Sequence, residues 1–214
     1  MSAYLLIGTV GFEHPHWASG FYPEELPADW RFCFYSNKLR AVLIPPVESA
    51  RLDAAQAQKW VDDSDPEFRF VWGLDDSWLD ANTRAARLAA VAPLRAQIGA
   101  WLWHSRGSAP AVQAQALIEA LGAIAPVCVD APVADVARDD VALLWDADNV
   151  PAPHAGGHFL VAFTRVREPR RLRAILEALA RWQGDTRQAA LFFQDERAGD
   201  SALQARLLAD MMGI

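Results

Sequence analysis

Within ten residues near its start the chain places Glu13, His14, His16, Trp17 and Tyr22. An imidazole titrates close to neutral pH and can shuttle a proton, while indole and phenol rings offer large flat faces with one polar handle. His16, Trp17 and Tyr22 therefore suit a stacking and hydrogen-bonding wall around a small ligand. The same residues suit a structural plug, with the aromatics packed over a core and His16 bonded to backbone. Farther along, Leu143-Leu144-Trp145-Asp146 drops a carboxylate straight off an apolar run. With His16 it has the residue types of an acid–base pair, provided the surroundings drive the two pKa values apart. Asp130, Asp148, Asp195 and Glu196 follow apolar runs in the same way, and Asp there equally caps a following turn.

His14, His16, His104 and Asp146 are of ligand type for Zn²⁺ or Mn²⁺. No H-E-x-x-H or C-x-x-C element accompanies them, and His14-Pro15-His16 has a spacing that need not converge. No metal is assigned on this basis, and no cofactor is indicated. Arg165, Arg167, Arg170, Arg171 and Arg173, with Arg106, form a basic cluster that matches phosphate geometry or serves as a solvated helix face. Cys33 and Cys128 lie far apart inside apolar runs, as free thiols of a reducing cytoplasm would, and Cys128 has no base nearby in sequence. The expected ligand set is His16, Trp17, Tyr22, His104 and Arg165.

The elements that must position these residues are eight apolar runs: Tyr4–Val10, Arg40–Ile44, Phe68–Trp72, Ile98–Trp103, Pro126–Asp130, Val141–Trp145, His158–Phe163 and Ala189–Phe193. They alternate little, as strands covered on both faces do. Helical stripes lie between them: Ala114, Leu117, Ile118, Leu121; Leu172, Ile175, Leu176, Leu179; and finally Leu203, Leu207, Leu208, Met211. Asp53 and Asp200-Ser201 read as N-caps and Pro169 as a first-turn proline. Among the nine tryptophans, Trp101, Trp103 and Trp145 read as core, and Trp78 as a loop residue open to solvent. Strand–helix alternation eight times over predicts a compact α/β (β/α)₈ TIM-like barrel spanning 1–214 as one domain. Ala131–Asp140 and Ala147–Gly157 are too short or too rich in Pro and Gly for full helices, so the fifth and sixth crossovers are expected to be reduced. The rival, an open doubly wound sheet, lacks its Gly-rich turn after the first strand.

The chain has 214 residues, 52% hydrophobic and 22% charged, with a net charge of −7. That balance argues against a dedicated nucleic-acid binder. No apolar run reaches bilayer-spanning length, and no export signal is visible at the start. A cytoplasmic protein is expected.

Ile7-Gly8-Thr9-Val10-Gly11-Phe12, His16-Trp17 and Phe21-Tyr22-Pro23, then Leu26-Pro27, Trp30 and Phe34-Tyr35-Ser36, resemble the opening signature of the YecE-like family (domain of unknown function 72). Lys59-Trp60-Val61 with Phe68-Arg69-Phe70, and Ala190–Phe193 with the helix after it, are similar to later family segments. The resemblance implies a TIM-like barrel and no assigned chemistry. It also exposes departures at strand ends: Leu43 and Pro45 stand where the family has Glu and Asn, Gly73 where Lys is common, and Val161-Ala162-Phe163-Thr164 lacks the family's Arg and His. His104-Ser105-Arg106, Val127–Asp130 and Gln194-Asp195 depart from the family's Gln-Pro, V-E-x-R and Asn-Asn patterns. These losses point to a barrel that binds a small polar or anionic ligand, or a protein partner, at its C-terminal mouth with little or no catalysis. The alternative is a hydrolase or isomerase of sugar-like or phosphorylated substrates using His16 and Asp146.

Overall fold

Strands such as Arg69–Leu74 and Gln188–Phe193 bury side chains on both faces, which is why the runs do not alternate. In the computed structural model, which describes residues 4–105, 109–130, 142–150 and 157–214, all eight are strands. They are β1 Leu6–Val10, β2 Ala41–Ile44, β3 Arg69–Leu74, β4 Ile98–His104, β5 Val127–Asp130, β6 Ala142–Asp146, β7 Phe159–Thr164 and β8 Gln188–Phe193. Each pairs in parallel with its sequence neighbours, and β8 pairs back onto β1 to close a barrel. Leu6, Leu43, Val71, Leu102, Cys128, Val161 and Phe192 pack together as one layer, the lumen filling. Their chain neighbours Ile7, Ile44, Trp72, Trp101, Val129, Leu160 and Phe193 belong to the second layer, under the helices. Leu43 thus fills the lumen apolarly at the position where the family resemblance calls for Glu.

The helices are α1 Arg31–Lys38, α2 Pro46–Ser49, α3 Ala54–Asp62, α4 Ala81–Val91, α5 Ala111–Gly122, α6 Pro169–Gln183 and α7 Ala198–Met212. Asp53 caps α3 as expected, accepting from the Gln56 amide at 2.8 Å. Pro169 opens α6 behind a Glu168 cap, and the expected apolar faces of α5 and α6 are buried.

Three expectations are corrected. The stripe Leu203, Leu207, Leu208, Met211 is not the buried face of α7: Leu207 is 56% and Met211 86% exposed. The helix instead buries Ala198, Ala202, Ala205 and Ala209. Bulky residues such as Ile7, Phe21 and Phe193 already fill that part of the core, so the small-residue face is the one that fits at close packing density. Second, α7 begins before Asp200-Ser201. Asp195 takes the role of closing the turn ahead of it, accepting from the Arg197 amide at 2.8 Å, and Ser201 is buried inside the helix. Third, Trp78 is fully buried. The 3₁₀ turn Asp76–Leu79, held by the Asp75 carboxylate, folds it back against Trp101 at 5.8 Å between ring centroids. The reduced helices expected for the fifth and sixth crossovers fall at 131–141 and 151–156, outside the described residues; the sixth opens with a turn at 147–149. Among the described residues no helix is long and apolar enough to cross a membrane.

Candidate functional site

The loop after β1 is set by hydrogen bonds from its own strand. Gly11 turns the chain with φ +69°, a left-handed conformation that disfavours any side chain, and its amide donates to the Leu43 carbonyl at 2.8 Å. The Thr9 hydroxyl donates to the Gly11 carbonyl. Beyond the turn, the Tyr22 hydroxyl donates to the Phe12 carbonyl. The Trp17 indole N–H donates to the Glu196 carbonyl at 3.1 Å, tying this loop to the one after β8. Trp17 and Tyr22 are each 3% exposed, and Trp17 packs on Phe21 at 5.3 Å. Burial raises the Tyr22 phenol above its ordinary value. These two rings hold the loop together rather than line an opening. His16 differs: its side chain is exposed, with Nε2 3.8 Å from Glu196 Oε1, and its ring stacks near His14 at 5.3 Å.

On the far side of the mouth, strand alternation turns His104 and Asp146 to the same side as the lumen residues Leu102 and Leu144. His104 is in register with Asp130. Asp146 Oδ2 accepts from the Asn149 side chain at 2.7 Å and Oδ1 from the Asp148 amide at 3.1 Å. The Asn149 bond above all holds the Asp146 carboxyl below its usual range, the opposite of what a proton donor needs. Asp148 accepts from the Thr164 hydroxyl at 2.6 Å and from the Arg165 amide at 3.0 Å. Glu168 takes the amides of Arg170 and Arg171 at the start of α6. Arg167 pairs with Asp195 at 2.7 Å and Arg173 with Glu177 at 2.9 Å. The ground after β7, where barrels often bind phosphate, is therefore occupied by the chain's own carboxylates. Arg106 lies outside the described residues, and nothing is described of the Asp130 side chain. The structure brings His16 to Glu196, but bonds Asp146, at the end of β6, to the turn that follows it. Among the described residues no three His, Cys, Asp or Glu side chains converge as metal ligands. Cys128 faces the lumen, and burial pushes its thiol up, away from nucleophilic use.

A different concavity forms beside the mouth, between the β1 loop, the approach to α1, and α2–α3. It has a volume of about 450 Å³, within the range of small-molecule sites. Phe12, Phe32 and Trp60 wall it at 5.1–5.5 Å between ring centroids, Phe12 edge-on to the other two and Phe32 tilted against Trp60. Around them stand Glu13, Asp29, Glu48, Arg51, Lys59 and Asp63. Among the described residues none of these six side chains makes a hydrogen bond or an ion pair within 4 Å. Glu48 keeps solvent contact, yet its carboxyl is pushed above the ordinary range. Partial burial is the main cause, the charge of Glu13 adds to it, and Arg51 opposes both.

Only Glu13 of this set stood out in the sequence as a functional candidate; Lys59 entered only through the family resemblance. Glu48 is placed by two prolines: Pro45 ends β2 and Pro46 starts α2, and the Ser49 hydroxyl donates to the Gly73 carbonyl at 2.9 Å, fastening the turn to β3. A Cβ at Gly73 would lie 2.7 Å from the Ile44 carbonyl and 2.8 Å from Pro46 Cδ. The Pro45-Pro46 stop and the missing side chain at Gly73 thus fit together as one piece of local packing. An acid two residues beyond a Pro-Pro strand stop was the available signal for Glu48.

Residues 6–134 match the profile of the family described as protein of unknown function DUF72, more than half of the chain. The chain belongs to the DUF72 family. Solved DUF72 structures share its fold. One from Enterococcus faecalis V583 superposes with a TM-score of 0.67 at 12% identity, covering 97% of this chain and 94% of that one. A second structure of that protein gives 0.66 at 13%, covering 97% and 98%. A DUF72 protein of Thermotoga maritima MSB8 gives 0.66 at 14%, covering 97% and 100%. At such identities the likeness carries the DUF72 barrel and no chemistry. No curated protein matches the sequence.

Proposed function

We propose that this DUF72 chain is a ligand-binding barrel, with little or no catalytic turnover, that takes a small polar molecule in the cleft beside its C-terminal mouth. The observation that carries this reading is the ring of six charged side chains around one concavity, none of them hydrogen-bonded or ion-paired among the described residues. Elsewhere at the mouth charged groups are engaged by the chain itself: Arg167 pairs with Asp195, and Asp148 accepts from the Thr164 hydroxyl and the Arg165 backbone amide. A simple anion is disfavoured as the ligand, because four carboxylates face two cations in the cleft. The net charge of −7 favours a small molecule over nucleic acid. Two free cysteines support a reducing compartment such as the cytoplasm.

The hydrolase or isomerase reading needs His16 and Asp146 on one cavity. The low-pKa, doubly bonded Asp146 carboxylate weighs against it. Thermal shift against sugars, polyols, amino acids, phosphates and divalent ions tests the proposal, with hits carried to calorimetry. Binding that weakens in Glu48→Gln or Lys59→Met supports it. Binding indifferent to both, or turnover abolished by changing His16 or Asp146, overturns it.

A further inference from the structure

The charges of the cleft are of both signs and are not interchangeable. Glu13 and Glu48 act on each other, and Arg51 is the cation that acts on Glu48. Lys59, on α3, is not among the charges that act on Glu48, and among the described residues its side chain makes no hydrogen bond or ion pair. Between these charged edges lies the apolar wall of Phe12, Phe32 and Trp60, all less than a tenth exposed. A ligand with only a positive group would leave Lys59 and Arg51 facing it unmatched. A ligand with only a negative group would meet Glu13, Asp29, Glu48 and Asp63. Unmatched charge of either kind, once partly desolvated, counts against binding.

We infer that the cleft recognises a small zwitterion, an amino-acid-like molecule whose ammonium lies between Glu13 and Glu48 and whose anionic group meets Lys59, with its short middle against the aromatic wall. This rests on the cleft being the binding site. An ammonium at that place relieves the repulsion of two neighbouring carboxylates, and the volume of about 450 Å³ accommodates a molecule of this size. Electrostatic recognition at both ends also supplies selectivity, since removing either charge strands its partner.

The test is a thermal-shift and calorimetric series on the full chain with free amino acids, each set beside its N-acetyl and methyl-ester forms. Polyols, inorganic phosphate and simple ammonium salts complete the panel. At least one free amino acid is expected to raise Tm by roughly 5–11 °C at a hundred times its dissociation constant. Its N-acetyl and ester forms should bind at least about tenfold more weakly. Glu48→Gln should weaken the free amino acid about tenfold while sparing the N-acetyl form, and Lys59→Met should spare the ester. An ester that binds as tightly as the free acid, or an N-acetyl form that does, overturns the zwitterion and leaves the cleft as a binding site. Failure of every probe, or binding unmoved by both substitutions, overturns the cleft reading as well.

Discussion

Replacing Tyr35 by Phe removes one oxygen from the barrel wall and leaves the ring in place. That hydroxyl is fully buried. It accepts from the Thr9 amide at 2.9 Å, donates to the Ala41 carbonyl at 2.9 Å, and lies 2.9 Å from the Thr9 hydroxyl. Thr9 pairs with Val42 across β1 and β2, so the phenol is inserted where the parallel ladder would otherwise run directly from Thr9 to Ala41. Without it, a buried amide and a buried carbonyl lose their partner. Each such loss costs about 1–3 kcal/mol, and allowing some relaxation the total is about 2–4 kcal/mol. For a chain of 214 residues that lowers Tm by roughly 5–15 °C. Urea unfolding at neutral pH should show a lower midpoint at unchanged slope. A loss below about 1 kcal/mol would mean that β1 and β2 close up and restore the direct bond, refuting the claim that the hydroxyl is a required part of the ladder. Because Thr9 also holds Gly11, the same variant should weaken any cleft ligand by displacing Phe12 and Glu13.

Two further outcomes follow from packing and ionisation. Tyr22, Tyr35 and Cys128 are acids whose folded pKa values burial raises. The unfolded chain therefore releases protons first: stability is intact below about pH 8 and falls as pH climbs through the unfolded values near 8.5 and 10, by up to about 1.4 kcal/mol per unit for each group. Urea midpoints that stay flat from pH 8 to 11 would contradict this. On α7, Ala205→Leu should cost about 1–3 kcal/mol by overpacking, whereas Leu207→Gln should stay within about 0.5 kcal/mol; the reverse order in thermal melts would restore the leucine stripe as the buried face.

Much of this molecule was readable from local pattern. Eight strands, the Asp53 cap, the Pro169 start and the buried faces of α5 and α6 follow from periodicity and from the backbone needs of Asp and Pro, all of which act within a few residues. α7 misled because two faces of one helix were both apolar enough to bury, one of leucines and one of alanines. The choice depended on how much room β1, β8 and Phe21 left, a quantity no single segment carries. Trp78 misled for the same reason: its position after a strand does not reveal that a turn folds it onto Trp101.

The candidate site divides along that line. The sequence alone determined the barrel and the resemblance to DUF72, since these depend on residue identity and short-range order. Only the tertiary structure decided which charges remain unspent. Glu13, Asp29, Glu48, Arg51, Lys59 and Asp63 come from separate segments, and their lack of partners among the described residues, like the pairing of Arg167 with Asp195, exists only once closure of the ring sets which side chains face each other across space.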